Sequence, residues 1–401
     1  MRSTRTRSVL ALVGALAMVV SACSPPPTGG EGTTTTSGAT DTTAGPDTTV
    51  GDGTTTTTAG PIGIDNEAAL EAIYAEVEGL GLEERTAKLL ELAAEEDDLS
   101  IYSSTNLEDA LPLLEGFEDL YGLEPTYYRA SSSDVLQRIL QEADAGFAGN
   151  DVVMSNGPEM ALLDSEGLLL SLRTPATEDI IDAGVFDTWS AIYMNSFIAA
   201  WNTGFIESVP ENWYDFLTTF DGVLAMELGD WDWFATLTNQ YFIAELGMSE
   251  EEVVELFKAA AAGAKVVDGH TLLAELLAAG EYDAGTSLYH HRVTEMISEG
   301  APLAWESPVR PIVVRPNGVG IMRHVQSPAT ALLWVDFMLT DGQEILAAEF
   351  RGPASTTVAG GIPEEYEPIL VDLEAITSDR DKWEALWEEI VQAAGTEPIE
   401  E

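Results

Sequence analysis

Tyr127-Tyr128-Arg129-Ala130-Ser131-Ser132-Ser133-Asp134-Val135-Leu136-Gln137-Arg138-Ile139-Leu140-Gln141-Glu142, followed shortly by Asn150-Asp151-Val152-Val153-Met154, changes period twice in one short stretch. Residues 123–128 read as extended. Apolar residues at 135, 136, 139 and 140 then take helical spacing over 134–145, and 151–154 is a compact β-rich apolar run. Strand, helix, strand is the repeating unit of a parallel sheet. The unit extends in both directions: a strand at 99–102 and a helix at 107–121 come before it, and a helix at 158–167 comes after. The chain is therefore expected to be α/β.

Further out, residues 66–96 have helical spacing interrupted at Gly79 and Gly81, which predicts two helices before the first strand. An extended stretch at 197–202 leads into helices at 212–220, 234–246, 249–262 and 271–279. A strand at 282–288 follows, with a helix running through Met296. A second extended stretch at 308–321 then enters a helix at 328–339 and further C-terminal helices. Two extended crossings, near Trp201 and Val313, bracket a middle segment. That is the pattern of a two-lobed protein in which the second lobe is inserted into the first. The expected organisation is an N-terminal helical segment at 61–96, lobe 1 at 97–200, lobe 2 at 201–307, and a return to lobe 1 with C-terminal helices at 308–401. The 401 residues suit two lobes and a tail.

The tail reads differently. Arg2, Arg5 and Arg7 precede an apolar run at 9–20 that falls short of the roughly 20 residues a spanning helix needs, the pattern of a signal peptide over 1–22. Val20-Ser21-Ala22-Cys23 follows and resembles the bacterial lipobox. The resemblance implies lipidation of Cys23, the one cysteine of the chain. Residues 23–60 are dominated by Thr, Gly, Pro, Ser and Asp, a composition that builds no core and reads as a lipid-anchored linker. The expected location is extracytoplasmic, at the cell membrane.

Charge narrows the partners. With 69 acidic against 17 basic residues the chain carries −52, so phosphate-backbone neutralisation is out of reach and nucleic acid is excluded as a partner. Only four lysines occur, which suits a salty medium where screening relieves self-repulsion.

The opening stretch also resembles the early lobe of extracellular solute-binding proteins of the ferric-iron-type ABC importer family. The likeness continues through Trp201-Asn202-Thr203, Pro210-Glu211-Asn212-Trp213, 280–284, 327–331 and 336–343. It implies a periplasmic-binding-protein-like fold of type II with two hinge-crossing segments. Such a fold closes on a small-molecule or ion ligand and delivers it to an ABC permease and ATPase complex. A monomer is expected, with transported Fe³⁺ as one possible cargo. Ferric relatives place a histidine or other donor after the first strand, an acidic residue after the third, and adjacent tyrosines in the second lobe. Here those positions fall on Asn106, Asn156 and Tyr289-His290.

Several residues are candidates for contact with a ligand. Tyr289, His290 and His291 could ligate a metal, or they could form a polar strand-to-helix junction. Ser103, Ser104 and Thr105 follow the first strand, and Ser131, Ser132 and Ser133 precede a helix. Hydroxyls beside free helix N–H groups bind oxyanions as readily as they cap, and Arg129 could add a bidentate contact. Because ligands of open α/β sheets sit beyond the carboxyl ends of strands, these loops and Ser155-Asn156 should line one cleft. Trp231 and Trp233 could supply aromatic faces to a sugar or a cation, or pack in a core. The solute stays open between ferric iron, a small oxyanion or phosphorylated compound, a polyamine and a thiamine-like cation. Two other classes also remain: an exported hydrolase, for which no Gly-x-Ser-x-Gly is present, and a surface sensor lipoprotein that kept the binding fold.

Overall fold

The computed structural model describes residues 65–400. The signal peptide expected over 1–22, Cys23 and the linker expected over 23–60 lie outside the described residues.

Two helices, α1 (Glu67–Val77) and α2 (Leu82–Ala93), come first. They are followed by β1 (Ser100–Ser103), α3 (Leu107–Tyr121), β2 (Thr126–Arg129), α4 (Ser132–Asp144), β3 (Val152–Asn156) and α5 (Gly157–Ser165). The fourteen-residue strand β4 (Trp189–Asn202) then leads into α6 (Trp213–Thr219), β5 (Leu224–Glu227) and α7 (Trp231–Thr236), which runs on as a π-helical turn over Leu237–Ile243. Next come α8 (Glu250–Ala261), β6 (Lys265–Val267), α9 (His270–Ala279), β7 (Ala284–Tyr289), α10 (His290–Ser298) and the short β8 (Leu303–Ala304). The chain returns through β9 (Ile312–Ile321), α11 (Pro328–Leu339), α12 (Asp341–Ala348), β10 (Gly352–Pro353) and β11 (Pro368–Leu370). It finishes with α13 (Leu373–Ser378) and α14 (Arg380–Gln392).

The strands follow the order β2-β1-β3-β9-β4-β7-β5-β6. Within each end of this row the pairing is parallel, β1 with β2 and β3, and β5 with β6 and β7. The middle is antiparallel. β4 runs against β9 from Trp189 opposite Gly320 to Phe197 opposite Val313, and its later half runs against β7 from Phe197 opposite Tyr289 to Trp201 opposite Ala284. β9 in turn pairs its C-terminal half with β3. These two long strands therefore belong to both ends of the sheet, and the fold is a two-lobed α/β architecture joined through β4 and β9. Gly318 makes the close pairing possible, because a Cβ there would lie 2.2 Å from the Trp189 ring.

The crossing strand β4 begins at Trp189, earlier than the extended stretch read at 197–202. Before 197 it carries Ser190, Asn195 and Ser196, all buried, so neither an alternating nor a continuous apolar pattern marks it. Strands β5 and β6 also escape the sequence reading, since four and three residues are too few to show a period. The two helices expected over 66–96 form, and they cover α11, which is buried along its whole length. Arg85 on α2 donates from Nε to Asp336 Oδ2 of α11 at 2.6 Å, a pair sealed from solvent. At the other end of the chain, α14 packs against α7 and α8, and its Trp383, Trp387 and Ile390 join the core of the second lobe. Among the described residues no helix is long and apolar enough to cross a membrane.

Candidate functional site

The carboxyl ends of β1, β2 and β3, the middle of β4 and β9, and the facing ends of β5 and β7 surround one cavity of about 490 Å³. Of the residues expected to meet a ligand, Ser104, Thr105, Arg129, Ser131, Ser132, Asn156, Trp231, Tyr289 and His291 line it. Four do not reach it. Ser103 and Ser155 point inward from their strands and are fully buried, Ser103 Oγ accepting the Thr105 N–H at 3.0 Å. Trp233 packs edge-on against Trp213, Phe257 and Trp387 in the core of the second lobe, with ring centres 5.1 to 6.0 Å apart. His290 turns its ring to Trp305, 4.8 Å away.

On the first-lobe wall, Ser131 caps α4 by accepting the Asp134 N–H at 3.1 Å, which leaves Ser132 and Ser133 at the open N-terminal turn. Arg129, exposed at the rim, donates from Nη2 to Asn106 Oδ1 at 2.7 Å. Asn106 then donates from Nδ2 to Thr271 Oγ1 of the second lobe at 3.1 Å. Thr105 and Tyr193 share a hydroxyl hydrogen bond of 3.0 Å.

The floor is where the sequence reading fell short. Arg315 of β9 is 6% exposed; its Nη1 donates to Asp232 Oδ2 at 2.7 Å and its Nη2 to the Tyr289 hydroxyl at 2.8 Å. The guanidinium lies 4.7 Å from the Phe197 ring centre, and its Nε has no partner. Arg351 is bound the same way: Nη2 pairs with Asp109, the plane covers Tyr193 at 4.4 Å, and Nε again lacks a partner. Arg380 of α14 stands over Trp231 at 5.3 Å and pairs with Glu384. The signal for Arg315 was a charged residue inside an otherwise apolar strand run, which a fully buried strand tolerates only with a partner. Arg351 and Arg380 carry no comparable local mark.

The second-lobe wall is acidic. Glu227 ends β5 and accepts the N–H of Gly229 at 2.5 Å through Oε2 and that of Gly269 at 3.1 Å through Oε1. Gly269 holds φ at 104°, a conformation that leaves this N–H aimed at the carboxylate and that side-chain-bearing residues resist. His270, opening α9, places Nδ1 3.0 Å from Ser287 O and Nε2 3.2 Å from Asp230 Oδ1. Glu227, Asp230 and His270 each offer a donor atom within 4.8 Å of the other two; no such group of three forms around His290 and His291 among the described residues.

Burial governs the protonation of these groups. Desolvation, then the neighbouring Asp230 charge, pushes Glu227 up to about 7. Desolvation also raises Glu159, against the pull of Arg315 and Arg380. Burial holds His290 down at about 4 and His291 well below the usual imidazole range, so both are neutral at pH 7. The Tyr289 phenol is raised by burial despite Arg315, and it stays protonated.

The family model for bacterial extracellular solute-binding proteins matches residues 104–345. Among solved structures, the periplasmic binding protein AfuA from Actinobacillus pleuropneumoniae, with fructose-6-phosphate bound, superposes with a TM-score of 0.64 at 21% identity over 74% of this chain and 98% of its own. Iron-bound HitA from Pseudomonas aeruginosa gives 0.61 at 16% identity over 73% and 99%. MotA from A. tumefaciens B6, in complex with glucopine, gives 0.61 at 17% over 74% and 100%. No curated protein matches the sequence. The solved structures establish the two-lobed periplasmic-binding-protein-like fold.

Proposed function

The chain belongs to the family of bacterial extracellular solute-binding proteins, and on that premise we propose that it is the capture component of an ABC importer, tethered to the membrane through a lipidated Cys23, whose cargo is a small solute bearing a phosphate-type oxyanion. One observation carries the reading. In a chain of net charge −52 with 17 basic residues, Arg129, Arg315, Arg351 and Arg380 all line one cavity.

Arginine forks suit tetrahedral and planar oxyanions, and three of these guanidinium groups, Arg315, Arg351 and Arg380, are already held by carboxylates and aromatic faces, so little ordering entropy is lost when an anion arrives. The unpartnered Nε of Arg315 and of Arg351 are donors in a buried place, where an unmade hydrogen bond costs about 1–3 kcal/mol. The N-terminal turn of α4, with Ser132 and Ser133, adds backbone donors and dipole. A structural relative holding fructose-6-phosphate is consistent with such cargo.

Ferric iron fits this cavity less well. The one phenol expected as a donor, Tyr289, accepts a hydrogen bond from Arg315, and a guanidinium at that distance competes with a trivalent cation. The hydrolase and sensor alternatives gain no support from the site: the reading needs reversible capture and no reacting group.

Differential scanning fluorimetry and calorimetry against inorganic phosphate, sugar phosphates, the parent sugars and ferric citrate test the proposal. A ligand at 100 times its Kd stabilises the folded state by about 2.7 kcal/mol. Stabilisation by a phosphate ester and none by its parent alcohol is the expected result. A response to ferric citrate or to a neutral solute alone would overturn it.

A further inference from the structure

Glu227, Asp230 and His270 come from three places in the second lobe: the end of β5, the residue before α7, and the first residue of α9. None belongs to the set Tyr289, His290 and His291 that the sequence suggests for a metal. Their donor atoms nevertheless lie within 4.8 Å of one another.

The imidazole is oriented by its surroundings. His270 stacks on Tyr289 with ring centres 3.8 Å apart and meets Phe197 edge-on at 5.6 Å, so its plane is fixed. Nδ1 lies 3.0 Å from the Ser287 carbonyl oxygen, which accepts and does not donate; Nδ1 therefore carries the proton. In the neutral ring Nε2 is then a bare lone pair, and it faces Asp230 Oδ1 at 3.2 Å, a second lone pair. Two lone pairs at that distance need a positive charge between them, either a metal ion or a proton on Nε2, whose pKa the Asp230 and Glu227 carboxylates raise against the effect of burial. A backbone carbonyl on the far nitrogen is also the arrangement that fixes tautomer and angle in metal-ligating histidines.

Charge is compatible with a metal there. Asp230 is 1% exposed, and its second oxygen, Oδ2, has no hydrogen-bond partner. Glu227 is 7% exposed and faces the cavity with only two backbone N–H groups for support. With no metal bound, a protonated His270 balances Asp230, and desolvation shifts Glu227 toward its protonated form; ionising both carboxylates there needs a further positive charge. A dication balances both.

From this geometry we propose that Glu227, Asp230 and His270 form a divalent transition-metal site on the second-lobe wall of the cleft. One nitrogen and two carboxylate ligands suit Zn²⁺ or Mn²⁺, and because Glu227 and His270 line the cavity, coordination positions remain open on the side where the solute enters. The site uses second-lobe residues alone and does not rest on the oxyanion reading.

The test is isothermal titration of the chelator-treated protein with ZnCl₂ and, separately, MnCl₂, in 0.3 M NaCl to screen the acidic surface. It is run on the wild type and on E227Q, D230N and H270N, with circular dichroism confirming that each variant is folded. The expected result is one tight site per chain for at least one of the two metals, weakened by about 100-fold in each folded variant. Should D230N fail to fold, E227Q and H270N decide. Weak binding at many sites, or one tight site that all folded variants retain, would overturn the proposal. Phosphate-ester binding, measured in the same preparations with chelator present, reports separately on the cargo.

Discussion

Asn106 of the first lobe and Thr271 of the second are joined by a hydrogen bond of 3.1 Å from Nδ2 to Oγ1 across the cleft. The contact is made between side chains that both line the cavity, and Arg129 steadies it from behind through Asn106 Oδ1. The two lobes thus meet directly as well as through β4 and β9. Neither residue belongs to a hydrophobic core, so the contact bears on how the lobes meet at the cleft more than on the fold of either.

Removing it should shorten the bound lifetime. One neutral hydrogen bond is worth about 0.5–1.5 kcal/mol, so T271V should weaken solute binding by roughly 2- to 10-fold. Stopped-flow fluorescence should place the change in the dissociation rate, with the association rate and the melting temperature of the free protein unchanged.

Arg129 is exposed and makes its one side-chain contact to Asn106, so the fold does not depend on it. R129A should keep the wild-type unfolding midpoint and lose affinity for an oxyanion by roughly 10- to 100-fold, as expected for a charge-assisted hydrogen bond of about 1.5–3 kcal/mol. Calorimetry on the same ester in wild type and variant reads this directly.

Arg315 behaves differently, because Asp232 is buried with it at 2.7 Å. Replacing one partner strands the other, and R315M should cost about 3–5 kcal/mol in urea unfolding. The double variant R315M/D232N should recover most of that loss while still failing to bind an anion, which separates the structural part of the pair from its contact with cargo.

The pH dependence has a definite sign at His290. Burial depresses its folded pKa to about 4 from the ordinary 6.5, so the unfolded chain binds more protons in between. The stabilisation from a neutral His290 is complete above pH 6.5 and is lost as pH falls from there toward 4. H290Q should flatten that part of the curve: the difference in melting temperature between wild type and H290Q should narrow or change sign between pH 7 and pH 5.

The first-lobe end of the sheet was legible because α3 and α4 are long and amphipathic; α3 occupies residues 107–121 as the spacing predicted. The loops that line the first-lobe wall were legible for the same reason, since β1, β2 and β3 fix where their carboxyl ends point. The floor and the second-lobe wall were not. Tyr193 and Asn195 sit in a strand whose polar residues hide its period, and Glu227 and His270 become neighbours through a parallel pair of very short strands, β5 and β6. Arg351 and Arg380 reach the cavity from segments distant in sequence, placed there by the packing of α12 and α14. Overall charge excludes a nucleic-acid partner; it carries no information about four arginines gathered in one cleft.

The most direct test of that gathering is a crystal structure of the protein soaked with the sugar phosphate that gives the largest thermal shift. The oxyanion should lie between the lobes, with its oxygens about 3 Å from guanidinium nitrogens of Arg315 and Arg351 and the sugar facing Glu227. An anion bound outside the cleft, or a cavity filled by a neutral solute that touches neither guanidinium, would contradict it.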